Sequence, residues 1–297
     1  MISPLPNRIQ GYQDMELLCQ TESSYIYVTQ RDGAPLGKQI ALKFIPLNDH
    51  AQKSQIDNEC QLQSTIGHSY IMPVNTYFDY KDGNQIYRVI EMPLGVDNLC
   101  NAYSKHFLGG IQHIYKLISE LTACVNYLHQ NKILHGGICP ENIILKNANE
   151  EFLIPQLSGF RFAKLLSIYS PDDFYCNCRN RIPYFSAPEL LESKSHSFPS
   201  DIWSLGATFY FVITGNIIQD PKNLNLAYDS QFGPKFPHSG KELISRMLSF
   251  DPKDRPSASD IFNSDFFSEV MTQGLDHIII QNKLNEYSFM TTKKKFY

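Results

Sequence analysis

The sequence predicts an α+β fold of two lobes, a small β-rich lobe followed by a larger, mainly helical lobe. Within the first 95 residues, short segments rich in Tyr, Ile and Val are typical of strands. These segments include 24–30, 39–46 and 85–92. After Leu94 and Gly95, apolar residues take helical spacing in 111–130 and 202–214. A chain of 297 residues is long enough for two lobes that share a cleft.

One helical segment interrupts the predicted strands of the first lobe. From 54 to 66, the apolar positions Ile56, Leu62 and Ile66 are compatible with a helix that packs on the sheet by one face. We therefore expect the first lobe to be a sheet with a single helix against it.

A loop-rich segment, 134–188, follows the first long helix and contains a short predicted strand at 142–146. Loops of that length in a compact domain tend to be functional or mobile. The tail shows helical spacing around 277–284. We predict an N-terminal extension, a first lobe, a second lobe and a C-terminal tail, with bounds 1–11, 12–92, 93–267 and 268–297.

The composition is that of an ordinary globular protein, with 42% hydrophobic and 19% charged residues. A net charge of −4 argues against a dedicated nucleic-acid or membrane surface, although Lys293, Lys294 and Lys295 form a short basic run. No apolar stretch reaches the roughly 18 residues of a membrane helix, and no signal peptide pattern is visible. We expect no nucleic-acid partner and no membrane insertion.

The seven cysteines are odd in number and scattered, so they suggest neither a disulfide framework nor a zinc site. Reduced thiols are typical of proteins inside the cell. We therefore predict an intracellular location, in the cytoplasm or in a cytosol-facing assembly.

Four motifs follow one another along the chain. His135 and Asn142 have the spacing of the catalytic loop, His-Arg-Asp followed by four residues and Asn. Upstream, Lys43 in Ala-Leu-Lys is similar to the lysine that contacts nucleotide phosphates, and Glu59 lies sixteen residues later, where its ion-pair partner is expected. Downstream, Ser186-Ala187-Pro188-Glu189 and 201–206 resemble the end of the activation segment and the next helix.

Together these motifs resemble those of the protein kinase superfamily. The resemblance covers about residues 12–267 and implies a bilobal protein-kinase-like fold. It also implies an ion pair between Glu189 and Arg255, the arginine that matches the partner of the Ala-Pro-Glu glutamate. A nucleotide pocket would be formed by residues from both lobes. Its candidates are Ile26, Ala41, Lys43, Glu59, Glu91, Met92, Asn142 and Ile144.

The chain departs from the family pattern at the positions that carry chemistry. Gly137 stands where the catalytic aspartate is expected, and general-base catalysis of this kind contributes on the order of 10² to 10⁴-fold in rate. Cys139 and Gly136 replace a lysine and an arginine of the same loop. Gly159-Phe160-Arg161 occupies the Asp-Phe-Gly position, so the magnesium-binding aspartate is absent.

Two further departures concern phosphate and substrate binding. The segment 19–26 has no glycine where the family has a glycine-rich phosphate loop, and Ile182 stands where the family has a threonine. Gln63 takes the place of an apolar residue one turn after Glu59. Two alternatives remain for Arg161: a direct contact with phosphate, or a structural bond near Glu59 or to solvent.

On these grounds we expect a catalytically inactive pseudokinase that is not an enzyme and that acts as a scaffold, allosteric regulator or structural subunit through a protein partner. The tail, or the segment with Tyr169, Ser170 and Tyr175, could carry the contact. The pocket is then either filled by side chains or binds ATP weakly without magnesium, and we predict no bound metal.

The alternative is an atypical, weak ATP-dependent phosphotransferase of the serine/threonine kinase type with rearranged catalytic residues. It needs replacement carboxylates, for which Glu141, Asp172 and Asp173 are the candidates.

Overall fold

The computed structural model of the chain describes residues 5–21, 23–35, 37–48, 50–106, 108–147, 153–166, 183–192, 196–224, 232–233 and 236–270. The helix predicted around 277–284 lies outside these residues. The chain forms two compact units, Met1–Gly67 with Met72–Val96 and His68–Ile71 with Asp97–Tyr297. The first unit is built on a β-sheet and the second is mainly helical, which confirms the predicted α+β fold class.

An antiparallel sheet of five strands forms the centre of the first unit. Its strands are β1 Glu16–Gln20, β2 Tyr25–Thr29, β3 Ile40–Pro46, β4 Thr76–Asp82 and β5 Gln85–Pro93. They lie in the order β1-β2-β3-β5-β4. The three predicted strands correspond to β2, β3 and β5. Strands β1 and β4 have no buried residue and do not correspond to any of the three predicted segments.

Alternation along the strands gives this sheet two faces with different side chains. One face packs aromatic rings around Phe44, whose centroid lies 5.4 Å from that of Tyr27 and 6.2 Å from that of Tyr87. Leu5 and Ile9 are buried in the same cluster. Part of the segment predicted as an N-terminal extension therefore packs in the core of the unit.

The other face of the sheet packs against α1 His50–Thr65. Ile56 and Cys60 of this helix are buried in a cluster with Ile90 of β5. A helix was predicted here, but the predicted contact face needs correction, because Leu62 is only half-buried.

Gln63 occupies an inward position one turn after Glu59, where an apolar residue would normally pack. Its side chain is buried, and its Nε2 donates a hydrogen bond to the carbonyl oxygen of Met72 at 2.6 Å. Burial of an amide without such a bond is unfavourable by several kcal/mol at most, so this bond makes glutamine tolerable in the core. The end of α1 is thereby fixed to the chain that leads into β4.

Helices and two small sheets form the second unit. Its helices are α2 Leu99–Ser104, α3 Ile111–Gln130, α4 Pro188–Leu191, α5 Phe198–Thr214, α6 His238–Met247, α7 Ala258–Phe262 and α8 Asp265–Val270. Its strands are β6 Asp97–Asn98, β7 Ile133–Leu134, β8 Ile143–Asn147, β9 Leu153–Leu157 and β10 Lys164–Leu165. Strands pair in the orders β6-β8-β9 and β10-β7. Across the described residues, no helix is long and apolar enough to span a membrane.

Helices α3 and α5 form the buried centre of this unit. The predicted helix 111–130 matches α3 at both ends, whereas α5 begins four residues before its prediction. It begins there because Ser197 and Ser200 form a capping box, and Pro199 occupies the first turn, where its missing N–H is not needed. The predicted short strand at 142–146 corresponds to β8.

A buried ion pair connects α4 to the chain that follows α6, as the sequence predicted. Arg255 donates to the two carboxylate oxygens of Glu189 at 2.7 and 2.8 Å. The guanidinium also donates to the carbonyl oxygens of Ser249 and Pro199, and it lies 5.0 Å from the Trp203 ring centroid. Every side of this cation is therefore occupied by an acceptor or an aromatic face.

Replacement of Arg255 by methionine should lower the free energy of unfolding by about 3–5 kcal/mol, because the Glu189 carboxylate stays buried without its partner. The double variant Arg255→Met, Glu189→Met should recover part of this loss, since no charge then remains buried. Urea unfolding measures both, with Lys253→Met as the control at an exposed cation. A loss below about 1 kcal/mol in the single variant would contradict the structural role of the pair.

Candidate functional site

The first group of site residues lies on the α1 face of the five-stranded sheet. Lys43 of β3 extends towards α1, and its Nζ lies 3.2 Å from Oε1 of Glu59. The Glu59 side chain is 3% exposed and that of Lys43 is 23% exposed. Glu59 Oε2 has no hydrogen-bond partner among the described residues. The lysine is thus held by a buried carboxylate and keeps an exposed part.

Apolar residues of the predicted nucleotide pocket share this face with Lys43. Ile26 is the cross-strand partner of Lys43, and Ala41 is the partner of Met92. Cross-strand partners lie on the same side of a sheet, so these side chains form one surface with the lysine. The structure therefore brings together five of the predicted pocket residues, Ile26, Ala41, Lys43, Glu59 and Met92.

Glu91 points to the opposite face, so it contributes no side chain to the Lys43 surface. Its carboxylate accepts hydrogen bonds from the Tyr12 hydroxyl at 2.9 Å, from Arg31 Nε at 2.7 Å and from Asn75 Nδ2 at 2.9 Å. Burial and the hydrogen bond to Glu91 raise the pKa of Tyr12 to about 12. The side chain of Glu91 thus fixes the N-terminal segment to β5, a role that the sequence did not indicate.

Arg88 is a second structural cation that sequence reasoning missed. Its side chain is 8% exposed, with Nε 2.6 Å from Asp79 of β4 and Nη1 2.7 Å from Asp57 of α1. Arg88 therefore joins the helix to the sheet independently of Lys43. The partners of Arg88 lie 9 and 31 residues away in the sequence, so no local pattern indicates these ion pairs.

The second group of site residues lies in the loop His135–Asn142 of the helical unit. Its first residues are held by Asp201 of α5, whose carboxylate accepts from the backbone N–H of His135 and of Gly136, both at 2.8 Å. His129 Nε2 lies 3.2 Å from the same carboxylate. Burial would raise the pKa of Asp201, but hydrogen bonds with His129 and His196 hold it well below its usual range. The loop is therefore anchored by a charged carboxylate.

Gly136 has no space for the arginine of the family pattern. Its φ of +79° lies in the left-handed region, which favours glycine. A Cβ atom there would collide with the ring of His196 and would lie 2.8 Å from the carbonyl oxygen of Phe162. His196 is buried, so its ring is part of the core that holds the loop.

Gly137 and Gly159 differ in the space around them. A Cβ atom on Gly137 would make only ordinary contacts, 3.5 Å from Phe162 Cδ2 and 3.7 Å from Asn142 Nδ2. Gly159 has φ +80°, and its Cβ would lie 2.6 Å from Asn142 Cγ. Asn142 Nδ2 donates to the Gly137 carbonyl oxygen at 2.8 Å. The asparagine side chain therefore lies in the space that a side chain at 159 would need.

A magnesium ion held by the two ligands of the family pattern does not fit this arrangement. Position 159 has no carboxylate, so of the two family ligands only Asn142 remains, with its Nδ2 bonded to the carbonyl oxygen of Gly137. Magnesium prefers oxygen ligands in octahedral geometry, usually with one or two carboxylates. Within the described ranges, no three His, Cys, Asp or Glu side chains are grouped as metal ligands. The absence of a bound metal stays a prediction.

Cys139 is buried in the same loop, and burial together with the nearby Glu141 raises the pKa of its thiol above the usual range. A thiol in that state is neutral and replaces a lysine of the family pattern by an apolar group. Oε2 of Glu141 is buried without a hydrogen-bond partner in the described part of the chain. The loop thus contains no exposed cation between His135 and Asn142.

Arg161 follows Gly159 in a single 3₁₀ turn, Phe160–Phe162. Its Nε is buried and has no hydrogen-bond partner among the residues that the structure describes. Its Cζ lies 5.9 Å from the ring centroid of Phe162. The Glu59 carboxylate is bonded to Lys43, and the two alternatives given for Arg161 stay predictions.

The predicted pocket residues are divided between the two units. Six belong to the sheet unit, whereas Asn142 and the half-buried Ile144 of β8 belong to the helical unit. The pocket as a whole therefore stays a prediction. Ile182, Asp172, Asp173, Tyr169, Ser170 and Tyr175 lie outside the described residues.

Comparison with known proteins identifies the family. Residues 20–267 match the model of the protein kinase domain, so the chain belongs to the protein kinase domain family. Calcium-dependent protein kinase 5 of Plasmodium berghei (strain Anka) is 25% identical over 286 residues, which cover 92% of this chain and 48% of that protein. Serine/threonine-protein kinase PLK2 of Mus musculus is 28% identical over 253 residues, 79% of this chain and 34% of that protein.

A third relative carries a different name. Inactive serine/threonine-protein kinase PLK5 of Mus musculus is 27% identical over 254 residues, 78% of this chain and 39% of that protein. The chain therefore spans less than half the length of each of these three relatives.

These findings contradict the expectation that the chain is not an enzyme. The matching model is that of the protein kinase domain, and the similar proteins include several that are named as kinases. We therefore withdraw that expectation. The glycines at 137 and 159 change the residues available for chemistry, but they do not place the chain outside an enzyme family.

Aspartate should have little effect on stability at position 137 but should destabilise the fold at position 159. Gly159→Asp should lower the free energy of unfolding by about 2 kcal/mol, because it strains a left-handed residue and displaces Asn142 from its hydrogen bond. Gly137→Asp should change it by less than about 1 kcal/mol, since its Cβ meets no close atom. Urea unfolding of the two variants compares them directly. Equal losses would contradict the described packing of Asn142.

Proposed function

We propose that this protein kinase domain binds ATP without a requirement for magnesium and transfers its terminal phosphoryl group slowly to serine or threonine hydroxyls. The observation that supports this function best is the ion pair between Lys43 and Glu59 at 3.2 Å. In protein kinases a lysine on the third strand, paired with a glutamate of the following helix, positions the nucleotide phosphates. Both residues have the required positions within one compact unit.

The surface around Lys43 suits a nucleotide of this class. Ile26, Ala41 and Met92 supply an apolar area beside a cation, and an adenine ring with its phosphates needs both properties. Met92 is half-buried and Lys43 keeps part of its side chain exposed. The segment 19–26 has no glycine, so its backbone lacks the glycines that allow close contact with nucleotide phosphates in the family motif. We therefore expect weak affinity for ATP.

The transfer itself requires little covalent participation of the protein. The bond between the terminal phosphorus and the bridging oxygen breaks with release of ADP, and a new bond forms to the hydroxyl oxygen of the acceptor. The hydroxyl proton passes to solvent, because position 137 has no carboxylate to accept it. Loss of such a base lowers the rate on the order of 10² to 10⁴-fold. The expected reaction is therefore slow, with Lys43 as its positioning cation.

The class of acceptor rests on the relatives, several of which are named serine/threonine-protein kinases. Because the chain spans less than half of the relatives described above, the substrates and partners of the whole protein are also proposals. An intracellular location, in the cytoplasm or a cytosol-facing assembly, is compatible with a supply of ATP.

A second candidate function is regulation or scaffolding through protein contacts, alongside the chemistry. It is favoured by the bonds that maintain the helical unit without any part in phosphoryl transfer. Asp201 anchors the loop backbone, and Arg255 pairs with Glu189 in a buried position. One relative is named an inactive serine/threonine-protein kinase, so a domain of this type is compatible with such a role.

Thermal shift and calorimetric titration with ATP, in EDTA and in magnesium, test the proposed binding. The wild-type chain should be stabilised in EDTA, by about 2.7 kcal/mol when ATP is at 100 times its dissociation constant. Lys43→Met should remove most of this stabilisation, because the phosphates lose their cation. Lys81→Met, at an exposed lysine of β4 in the same sheet, is the matched control.

Transfer of labelled phosphate from ATP to a serine/threonine peptide library tests the proposed reaction. The wild-type chain should transfer slowly, whereas Lys43→Met should transfer none, which also excludes a contaminating kinase. Absence of ATP binding in both buffers would contradict the proposal. Binding that appears only with magnesium would contradict its metal-independent part.

A further inference from the structure

Arg161 presents a buried donor that the described chain does not satisfy. Its Nε has no hydrogen-bond partner among the described residues, and the Phe162 ring, whose centroid lies 5.9 Å from Arg161 Cζ, cannot replace an acceptor. Leaving a buried charged donor unpaired is unfavourable by more than a typical hydrogen bond contributes, and each such group requires an explanation. An acceptor that binds from outside the described chain is one explanation.

The surrounding segment favours an anion over a metal ion. Residues 153–166 contain two basic side chains, Arg161 and Lys164, and no acidic one. Asn142 is adjacent, but position 159 is a glycine, so no carboxylate stands beside the Asn142 amide to hold a divalent cation. A cation placed here would meet positive charge. An oxyanion would meet a guanidinium with an unused N–H.

The family pattern Asp-Phe-Gly has one negative charge, whereas Gly159-Phe160-Arg161 has one positive charge. The local charge thus differs by two units in the direction that disfavours magnesium and favours phosphate. A guanidinium donates several hydrogen bonds in a planar fork that matches phosphate oxygens, and it carries its charge at all physiological pH values.

We propose that Arg161 is the anion-binding residue of the helical unit and binds phosphate oxygens directly, in place of a magnesium ion. The ligand class is a phosphate ester or polyphosphate, with Nε as one donor. This inference rests on the proposed ATP binding for the identity of the ligand, but the site itself belongs to one unit and can be tested with a ligand that has no nucleoside.

The probes are tripolyphosphate and ATP, each titrated in EDTA by calorimetry and thermal shift. Arg161→Gln should weaken tripolyphosphate binding roughly ten- to a hundredfold, because a charge-assisted hydrogen bond is lost. Arg161→Lys should retain part of the affinity, since it keeps the charge but not the fork. Lys253→Gln removes an equal charge at an exposed position and should leave affinity unchanged.

The outcomes separate this inference from the proposed function. Loss of ATP affinity in Lys43→Met with unchanged affinity for both probes in Arg161→Gln overturns the Arg161 site and leaves ATP binding intact. Tripolyphosphate binding that depends on Arg161, without any ATP binding, supports the site and contradicts the proposed function. If the wild-type chain binds neither probe, both are overturned.

Two further outcomes concern the melting temperature of Arg161→Gln without ligand. If Arg161→Gln raises the melting temperature and no probe binds, the unpaired Nε is only a structural penalty, and the inference is overturned. If Arg161→Gln lowers the melting temperature and no probe binds, the guanidinium has an acceptor on another part of the chain, and the inference is again overturned. Circular dichroism of each variant establishes that it is folded.

Discussion

The helical unit depends on one buried carboxylate, that of Asp201. It is surrounded by two backbone N–H groups of the loop after β7 and by the rings of His129 and His196. Because a buried charge without partners is unfavourable, these donors and the carboxylate stabilise one another only as a set. The loop backbone at His135 and Gly136 is therefore held by α5, through bonds that do not involve the side chains of these two loop residues.

The bonds that anchor the loop backbone are separate from the side chains that the family motifs specify at positions 137 and 159. This explains how the chain can belong to a kinase family while glycine stands at these two positions. The structure has room for a side chain at position 137, whereas position 159 favours glycine because of its positive φ and the position of Asn142. The two substitutions are thus structurally different, although they look equivalent in the sequence. In the sheet unit, Lys43 and Glu59 remain paired, and Arg88 makes a second connection between helix and sheet. The sheet unit therefore keeps a positioned cation, Lys43, while the helical unit lacks the metal-binding aspartate at position 159.

The sequence predicted those strands and helices that have an apolar pattern of their own, because apolar periodicity is local. The strands β2, β3 and β5 and the helix α3 follow from their own residues, and the ion pair of Glu189 with Arg255 followed from the family motifs. The contacts that decide the site are not local. The Glu91 carboxylate is bonded to Tyr12, 79 residues away, and the backbone of His135 and Gly136 is bonded to Asp201, 66 and 65 residues away. Family motifs indicated the positions of the site residues, but only three-dimensional packing distinguished Gly137 from Gly159.

The central claim is that the Asp201 carboxylate holds the backbone of the loop at His135 and Gly136, whatever side chains the loop offers for catalysis. Amide hydrogen exchange tests this claim most directly. In Asp201→Asn, the amides of His135 and Gly136 should exchange at least about tenfold faster than in the wild-type chain, since each loses a charge-assisted hydrogen bond. The amides of α3 should exchange at the wild-type rate in this variant. The control Asp254→Asn, at an exposed aspartate, should change exchange neither at His135 and Gly136 nor in α3. Unchanged exchange of His135 and Gly136 in Asp201→Asn would contradict the account.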